Sequence, residues 1–319
     1  MYKKFFGLSR NPFEISPDPY FFYPTPSHNE ALASLTYGVY KRKGFVVVTG
    51  EVGTGKTLLI RFLLEALNRN QVASAFVYNP RLSVLDFLIH VLTDFRIPIT
   101  GRTKAEMLST LNNYLLSRSR NGGITALVVD EAQLLNWELL EEIRLMTNLE
   151  TSQHKLIQII LVGQPELDQK LDSQNLRQLK QRVALRCSLR RLALDDLRGY
   201  IYRRLELAGA HGQTPEIFPE ETIAAVHRNC QGIPRLANTL CENSLISAFS
   251  RQVKQVTPEI VEEVAITFRL NVVSQTSDSN PDAAEQRTKM LELLSQIVAG
   301  MSVPGQAPEM FLAPQVKSE

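Results

Sequence analysis

The chain has little of what marks several common classes of protein. Its 319 residues include only Cys187, Cys230 and Cys241 as cysteines. They are too few and too far apart for a disulfide framework or a CxxC metal site, and they read as buried, reduced thiols. No apolar run approaches the roughly 20 residues that cross a bilayer. The opening Met1-Tyr2-Lys3-Lys4-Phe5-Phe6 meets Arg10 and Pro12 too early to be a secretory signal. The expectation is a cytoplasmic protein. Charge of one sign is also missing, since 35 basic and 33 acidic residues leave a net +2. That balance excludes a global polyanion-binding field and confines any nucleic-acid surface to a local patch. The histidines His28, His90, His154, His211 and His227 never pair at metal-ligand spacing, and neither a serine nucleophile elbow nor a GxGxxG turn occurs.

What the chain does contain is Gly50-Glu51-Val52-Gly53-Thr54-Gly55-Lys56-Thr57, set between the apolar run Phe45-Val46-Val47-Val48 and Leu58-Leu59-Ile60. Strand, glycine-rich turn and helix follow in the order of a phosphate cradle. Glycines let the backbone amides turn inward on a polyphosphate, and the helix adds its positive dipole end. In that setting Lys56 reaches the β- and γ-phosphates, and Thr57 offers a hydroxyl to Mg²⁺. A second apolar run, Ile124 to Val129, ends in Asp130-Glu131-Ala132-Gln133. Acids at the carboxyl end of a buried strand stand where open α/β sheets bind ligands. Asp130 is the Mg²⁺ candidate and Glu131 the residue that polarises the attacking water. A further strand, 156–162, leads to Gly163-Gln164-Pro165. Gln164 there is either a sensor of the γ-phosphate or a satisfier of loop backbone.

Five runs, near 45–48, 73–78, 124–129, 156–162 and 183–189, alternate with helical patterns at 27–41, 58–68, 83–95, 104–119 and 137–149. The alternation predicts an α/β fold, an αβα sandwich on a parallel five-stranded sheet. From Asp195 strands give way to helices near 195–209, 220–230, 233–250 and 257–268, a small all-helical lid. The reading divides the chain into a strap (1–27), a nucleotide-binding core (28–193), a lid (194–270), a flexible linker (271–282) and a C-terminal amphipathic helix with a disordered tail (283–319). The strap holds eight aromatics, Tyr2, Phe5, Phe6, Phe13, Tyr20, Phe21, Phe22 and Tyr23. It either lines an adenine pocket or simply covers core.

One stretch is biased in charge: Arg177, Lys180, Arg182, Arg186, Arg190, Arg191, Arg198, Arg203 and Arg204 face only Asp195 and Asp196. Arg182 at the start of the fifth strand is a candidate arginine finger for a neighbouring subunit, and the same cluster could also be a solvated face or a surface for DNA phosphate. Arg235, in Gly232-Ile233-Pro234-Arg235, opens a helix where the dipole disfavours a cation. It is either a lid arginine reaching the phosphates or one half of a structural ion pair.

The ordered set of motifs resembles the AAA+ ATPases of the ExeA/GspA secretion group, which includes the MshM pilus-associated proteins. The resemblance runs over about residues 1–270. It rests on Phe6-Gly7-Leu8, Asn11-Pro12-Phe13, Pro17-Asp18-Pro19, His28-Asn29-Glu30-Ala31-Leu32, the glycine-rich turn, Asp130 to Gln133, Leu145-Met146-Thr147-Asn148-Leu149-Glu150, Gly163 to Leu167, Gln178 to Arg182 and Gly232 to Arg235. It implies an oligomeric P-loop NTPase that uses ATP and Mg²⁺, with Arg182 acting in trans and Arg235 as a second sensor. It also places His28 and Leu58 with the turn in nucleotide binding. The implied partner is an envelope or inner-membrane assembly for type II secretion, pili or polysaccharide export, at which the chain is peripheral. The core motifs are similar as well to transposition ATPases of the TniB/TnsC type, so an ATP-dependent DNA-binding regulator is the alternative.

Overall fold

A computed structural model describes residues 2–270 except 15, 17, 79–81 and 100. Five strands, β1 (Phe45–Gly50), β2 (Ala73–Val77), β3 (Thr125–Val129), β4 (Gln158–Gly163) and β5 (Leu185–Leu189), form one sheet in the order β2-β3-β4-β1-β5. Every neighbouring pair is parallel. Parallel neighbours require crossovers, which here are helices on both faces. The helices on the faces are α2 (Pro26–Tyr40), which precedes β1, then α3 (Lys56–Arg69), α4 (Val84–Asp94), α5 (Lys104–Arg120), α6 (Trp137–Met146), α7 (Pro165–Leu171) and α8 (Arg177–Lys180), while the short α1 (Tyr2–Phe5) at the start of the chain packs on the helices after β5.

Strand periodicity of two divides the sheet's side chains between two cores. Phe45, Val47, Leu127, Val129, Ile159 and Leu161 pack with α4 to α8. Val46, Val48, Ala126, Val128, Ile160 and Val162 pack with α2 and α3. The central strands β1, β3 and β4 are buried on both faces, which is why they read as unbroken apolar runs, whereas the edge strand β5 leaves Arg186 and Ser188 exposed. Each buried Val, Leu or Ile contributes about 1.5–3 kcal/mol, so the sheet is a rigid platform for the loops at its carboxyl edge.

After β5 come α9 (Leu194–Leu207), α10 (Thr214–Ile217), α11 (Glu220–Cys230), α12 (Pro234–Ser250) and α13 (Pro258–Thr267), with no strand among the described residues. This is the helical lid of the expected fold. No helix among the described residues is long and apolar enough to cross a membrane. All three cysteines are buried and free.

Boundaries differ from expectation where local chemistry intervenes. α2 starts at Pro26, one residue before the expected 27, because the Thr25 hydroxyl accepts the His28 amide and proline suits the first helical position. β4 begins at Gln158 rather than Leu156, after an antiparallel bridge between Glu150 and Lys155. The buried Gln158 amide accepts from Gly44 N at 2.7 Å and donates to Lys155 O at 3.1 Å, so it enters the sheet with both its polar ends paired. The strap is not simply extended: it contains α1 and a 3-10 turn, Pro19–Phe21, capped by Asp18. Its rings pair with the lid, Phe5 with Phe249 at 5.4 Å and Phe13 with Phe218 at 5.9 Å, and with α3 through Phe22 and Phe62 at 5.2 Å. The expected linker and C-terminal amphipathic helix lie outside the described residues.

Candidate active site

The turn between β1 and α3 is shaped by its glycines. Gly53 and Gly55 have φ of +85° and +97°, the left-handed region that a side chain disfavours. Gly55 is the N-cap of α3 and supplies no side-chain cap. As a result the amides of Gly55, Lys56, Thr57 and Leu58 donate to no protein acceptor among the described residues. Converging free amides at a helix N-terminus make an anion cradle, and this donor set fits a polyphosphate.

Lys56 is 7% exposed, and its Nζ donates to Gly50 O at 2.7 Å and Glu51 O at 2.9 Å. Burial pulls its pKa below the ordinary value, opposed by the nearby Glu131 and Asp130 carboxylates. Thr57 Oγ1 donates to Asp130 Oδ2 at 3.0 Å, bringing together the two oxygens suited to Mg²⁺. Asp130 is 3% exposed; burial pushes its pKa up, against hydrogen bonds from the Glu131 amide and Thr57. Glu131 has φ +53°, so the carboxyl end of β3 turns sharply at this residue. Its Oε2 accepts from Gln133 Nε2 at 2.6 Å and from Gln164 Nε2 at 3.3 Å. The structure thus brings Lys56, Thr57, Asp130, Glu131 and Gln164 to one carboxyl edge of the sheet.

An AAA domain model matches residues 39–171, from the end of α2 to the end of α7. Residues 39–171 thus form an AAA domain on a P-loop NTPase fold. It is 43% identical over 252 residues to General secretion pathway protein A of Aeromonas hydrophila, an alignment covering 79% of this chain and 45% of that protein. The chain therefore spans less than half of that relative's length. The resemblance to the ExeA/GspA group carried by the motifs is present in this similarity. Among solved structures, Cdc6p from Pyrobaculum aerophilum has a TM-score of 0.57 at 21% identity, covering 79% of this chain and 69% of that one. The Drosophila ORC bound to DNA reaches 0.61 at 18% identity, with 95% and 80% covered. These structures share the fold.

The AAA+ core and lid close around a cavity of about 260 Å³ above the glycine-rich turn. Val52, Gly53 and Gly55 to Leu58 line it with Glu131, while Tyr200, Arg204, Arg235 and Asn238 come from the lid. The strap lines it too, but with Glu14, Ser16 and Asp18 among its described residues. Its aromatics mainly anchor it to lid and α3, and the flat ring in the wall is Tyr200. Arg204 is 5% exposed beneath this wall and pairs with no carboxylate among the described residues. Its Nη1 donates to Tyr200 Oη, which donates to Asn238 Oδ1, both at 2.7 Å.

Arg235 sits at the start of α12 directly over the turn: its amide donates to Gly53 O at 3.3 Å, and it makes no ion pair among the described residues. His28 does not line the cavity. It lies 4% exposed behind the turn, with Nε2 donating to Thr54 O at 3.1 Å and Nδ1 accepting from the Thr25 hydroxyl at 2.6 Å. Arg182 stands before β5, at the sheet end opposite the turn, where its Nη1 donates to Thr147 Oγ1 at 2.7 Å. From there it cannot reach the cavity of its own chain.

The other basic residues of the 177–204 stretch do not gather into one patch. Lys180 pairs with Asp172, Arg186 with Asp168, Arg198 with Asp195 and Glu220, and Arg203 with Glu206. Arg191 reaches back to the turn, gripping both Glu51 oxygens at 2.8 and 2.7 Å, while its Nη1 donates to Gln231 Oε1 in the lid. Among the residues at the site, Gln133, Tyr200 and Asn238 carried no assigned role in the sequence. For Gln133 the signal was its place in the acidic strand-end motif; for Asn238 there was none.

Proposed function

We propose that this chain binds ATP with Mg²⁺, hydrolyses it as an oligomer, and uses the cycle to energise or position an envelope-associated assembly of the secretion, pilus or polysaccharide-export kind. The observation that carries the reading is the meeting of a free-amide cradle, a buried lysine, the Thr57–Asp130 pair and Glu131 on one edge of the sheet. The amides and Lys56 hold the β- and γ-phosphates in line. Thr57 and Asp130 would hold Mg²⁺, which supplies charge neutralisation on the phosphoryl oxygens when bound. Glu131 takes the proton of the attacking water as its oxygen bonds to the γ-phosphorus and the bond to the β-phosphate bridging oxygen breaks.

Gln164 orients that water and Arg235 neutralises phosphate charge from the lid. The remote place of Arg182 supports action on a neighbouring subunit's nucleotide. The similarity to General secretion pathway protein A supports the envelope role, and the dispersal of the basic stretch into local pairs leaves DNA binding with less support.

A steady-state phosphate-release assay tests the chemistry. Lys56→Ala should lose nucleotide binding, whereas Glu131→Gln should keep ATP and lose about 10²–10⁴ in turnover. Equal turnover in wild type and Glu131→Gln would remove Glu131 from the reaction.

A further inference from the structure

Gln133 ends the acidic motif after β3, and its carboxamide is held at both ends. Nε2 donates to Glu131 Oε2 at 2.6 Å, and Oε1 accepts the Gln164 amide at 3.1 Å. The amide orientation is dictated by chemistry, because the reverse would set an oxygen against a carboxylate and two donors against each other. The backbone is fixed as well, with Lys170 Nζ donating to Gln133 O at 3.1 Å. Room for the carboxamide exists because β4 ends in glycine: a Cβ on Gly163 would lie 2.8 Å from Gln133 Oε1. The side chain is thus a strut between the tip of β4 and the carboxylate at the tip of β3.

We propose that Gln133 is a positioning residue for Glu131, and this rests on the ATPase reading above. Both amide donors, Gln133 and Gln164, fall on Oε2, and Oε1 receives no donor among the described residues. A carboxylate held by one oxygen presents the other in a fixed direction, and Oε1 is the oxygen that takes the water proton. The Gln133 bond, at 2.6 Å against 3.3 Å for Gln164, is the tighter hold. Because the same carboxamide accepts from the Gln164 amide, a shift of the β4 tip is transmitted to Glu131 directly. Gln164 therefore acts on the base along two paths, one through its own side chain and one through Gln133.

The test compares wild type, Glu131→Gln, Gln133→Met and Gln133→Glu in ATP binding, single-turnover hydrolysis and thermal melting, with MgATP as the probe. Gln133→Met keeps volume and removes both bonds; Gln133→Glu keeps the acceptor for Gln164 and removes the donor to Glu131. Both variants should bind ATP within threefold of wild type and turn over about 10- to 100-fold more slowly, the loss usual when an orienting partner is removed. Adding Gln133→Met to Glu131→Gln should cost nothing further, because the residue acts only through the carboxylate.

Turnover within twofold of wild type in Gln133→Glu would overturn the inference, as would an undiminished Gln133→Met effect in the Glu131→Gln background. A fall in melting temperature with turnover preserved would do the same, by showing a purely structural strut. Absence of turnover in wild type would instead overturn the ATPase reading, and this inference with it.

Discussion

The seating of the lid on the glycine-rich turn can be tested by one methyl group. A Cβ on Gly53 would lie 2.8 Å from Arg235 Cβ and 3.0 Å from Ile233 Cγ2, where carbon atoms normally stand about 3.5–4.0 Å apart. The neighbours are the start of α12, so in Gly53→Ala the helix must lift and the Arg235 amide must leave Gly53 O, a bond of 3.3 Å. Placing alanine at φ +85° costs about 1–2 kcal/mol, and the lost hydrogen bond about 0.5–1.5 kcal/mol. A total of about 2–3 kcal/mol lowers the melting temperature of a chain this size by about 3–5 °C. The functional signature is separate: with α12 lifted, the rise in melting temperature given by MgATP should largely vanish, since lid and cradle no longer close on one ligand.

Gly122→Ala is the control. It has φ +72° and nothing within 4 Å of the added carbon, so it carries the backbone strain without the clash. It should melt a few degrees lower and keep its full response to MgATP. Differential scanning of the three proteins with and without MgATP decides the matter. A Gly53→Ala protein that responds to ATP as Gly122→Ala does would refute the argument that the lid rests on the turn at this point.

Two further outcomes follow from the geometry. His28 must be neutral to donate to Thr54 O while accepting from Thr25, and burial lowers its pKa from the ordinary 6.5. Its folded-state value is depressed, so the unfolded chain takes the proton first as pH falls. Stability is therefore full above about 6.5 and is lost as pH drops toward the folded value. Denaturant unfolding between pH 7 and 5 should fall more steeply for wild type than for His28→Gln, which donates to Thr54 without titrating; parallel slopes would contradict the assignment. For Arg182, Arg182→Ala should lose about 10³ or more in turnover, and mixing it with Lys56→Ala protein should restore part of the rate by completing sites across subunits. No loss in Arg182→Ala alone would end the trans role.

The fold was legible because the three central strands of the sheet are buried on both faces. Strands such as Val46-Val47-Val48 and Leu127-Val128-Val129 must be apolar throughout, and the helices between them then have no alternative but crossover positions. The cradle was legible for a related reason. Its positions are adjacent in sequence, and their chemistry demands glycines, a lysine and a hydroxyl at fixed spacing. The neighbourhood of Glu131 was only half legible: the acid sits in a readable motif, but its partner Gln133 looks like any polar loop residue until Gly163 and the Gln164 amide are seen around it.

What stayed hidden is long-range. The positive run from Arg177 to Arg204 suggested a surface, because sequence shows charges but not their partners. In the fold several of these arginines meet partners on distant elements. Arg191 grips Glu51 in the turn and Gln231 in the lid, Arg204 lies under aromatic rings, and Arg186 meets Asp168 on α7. Exposed pairs of this kind contribute only about 0–1 kcal/mol each. Arg191 differs from the other pairs in joining two parts of the chain, Glu51 in the turn and Gln231 at the end of α11. Such a joint can only be identified once the helices after β5 have been folded back over the sheet.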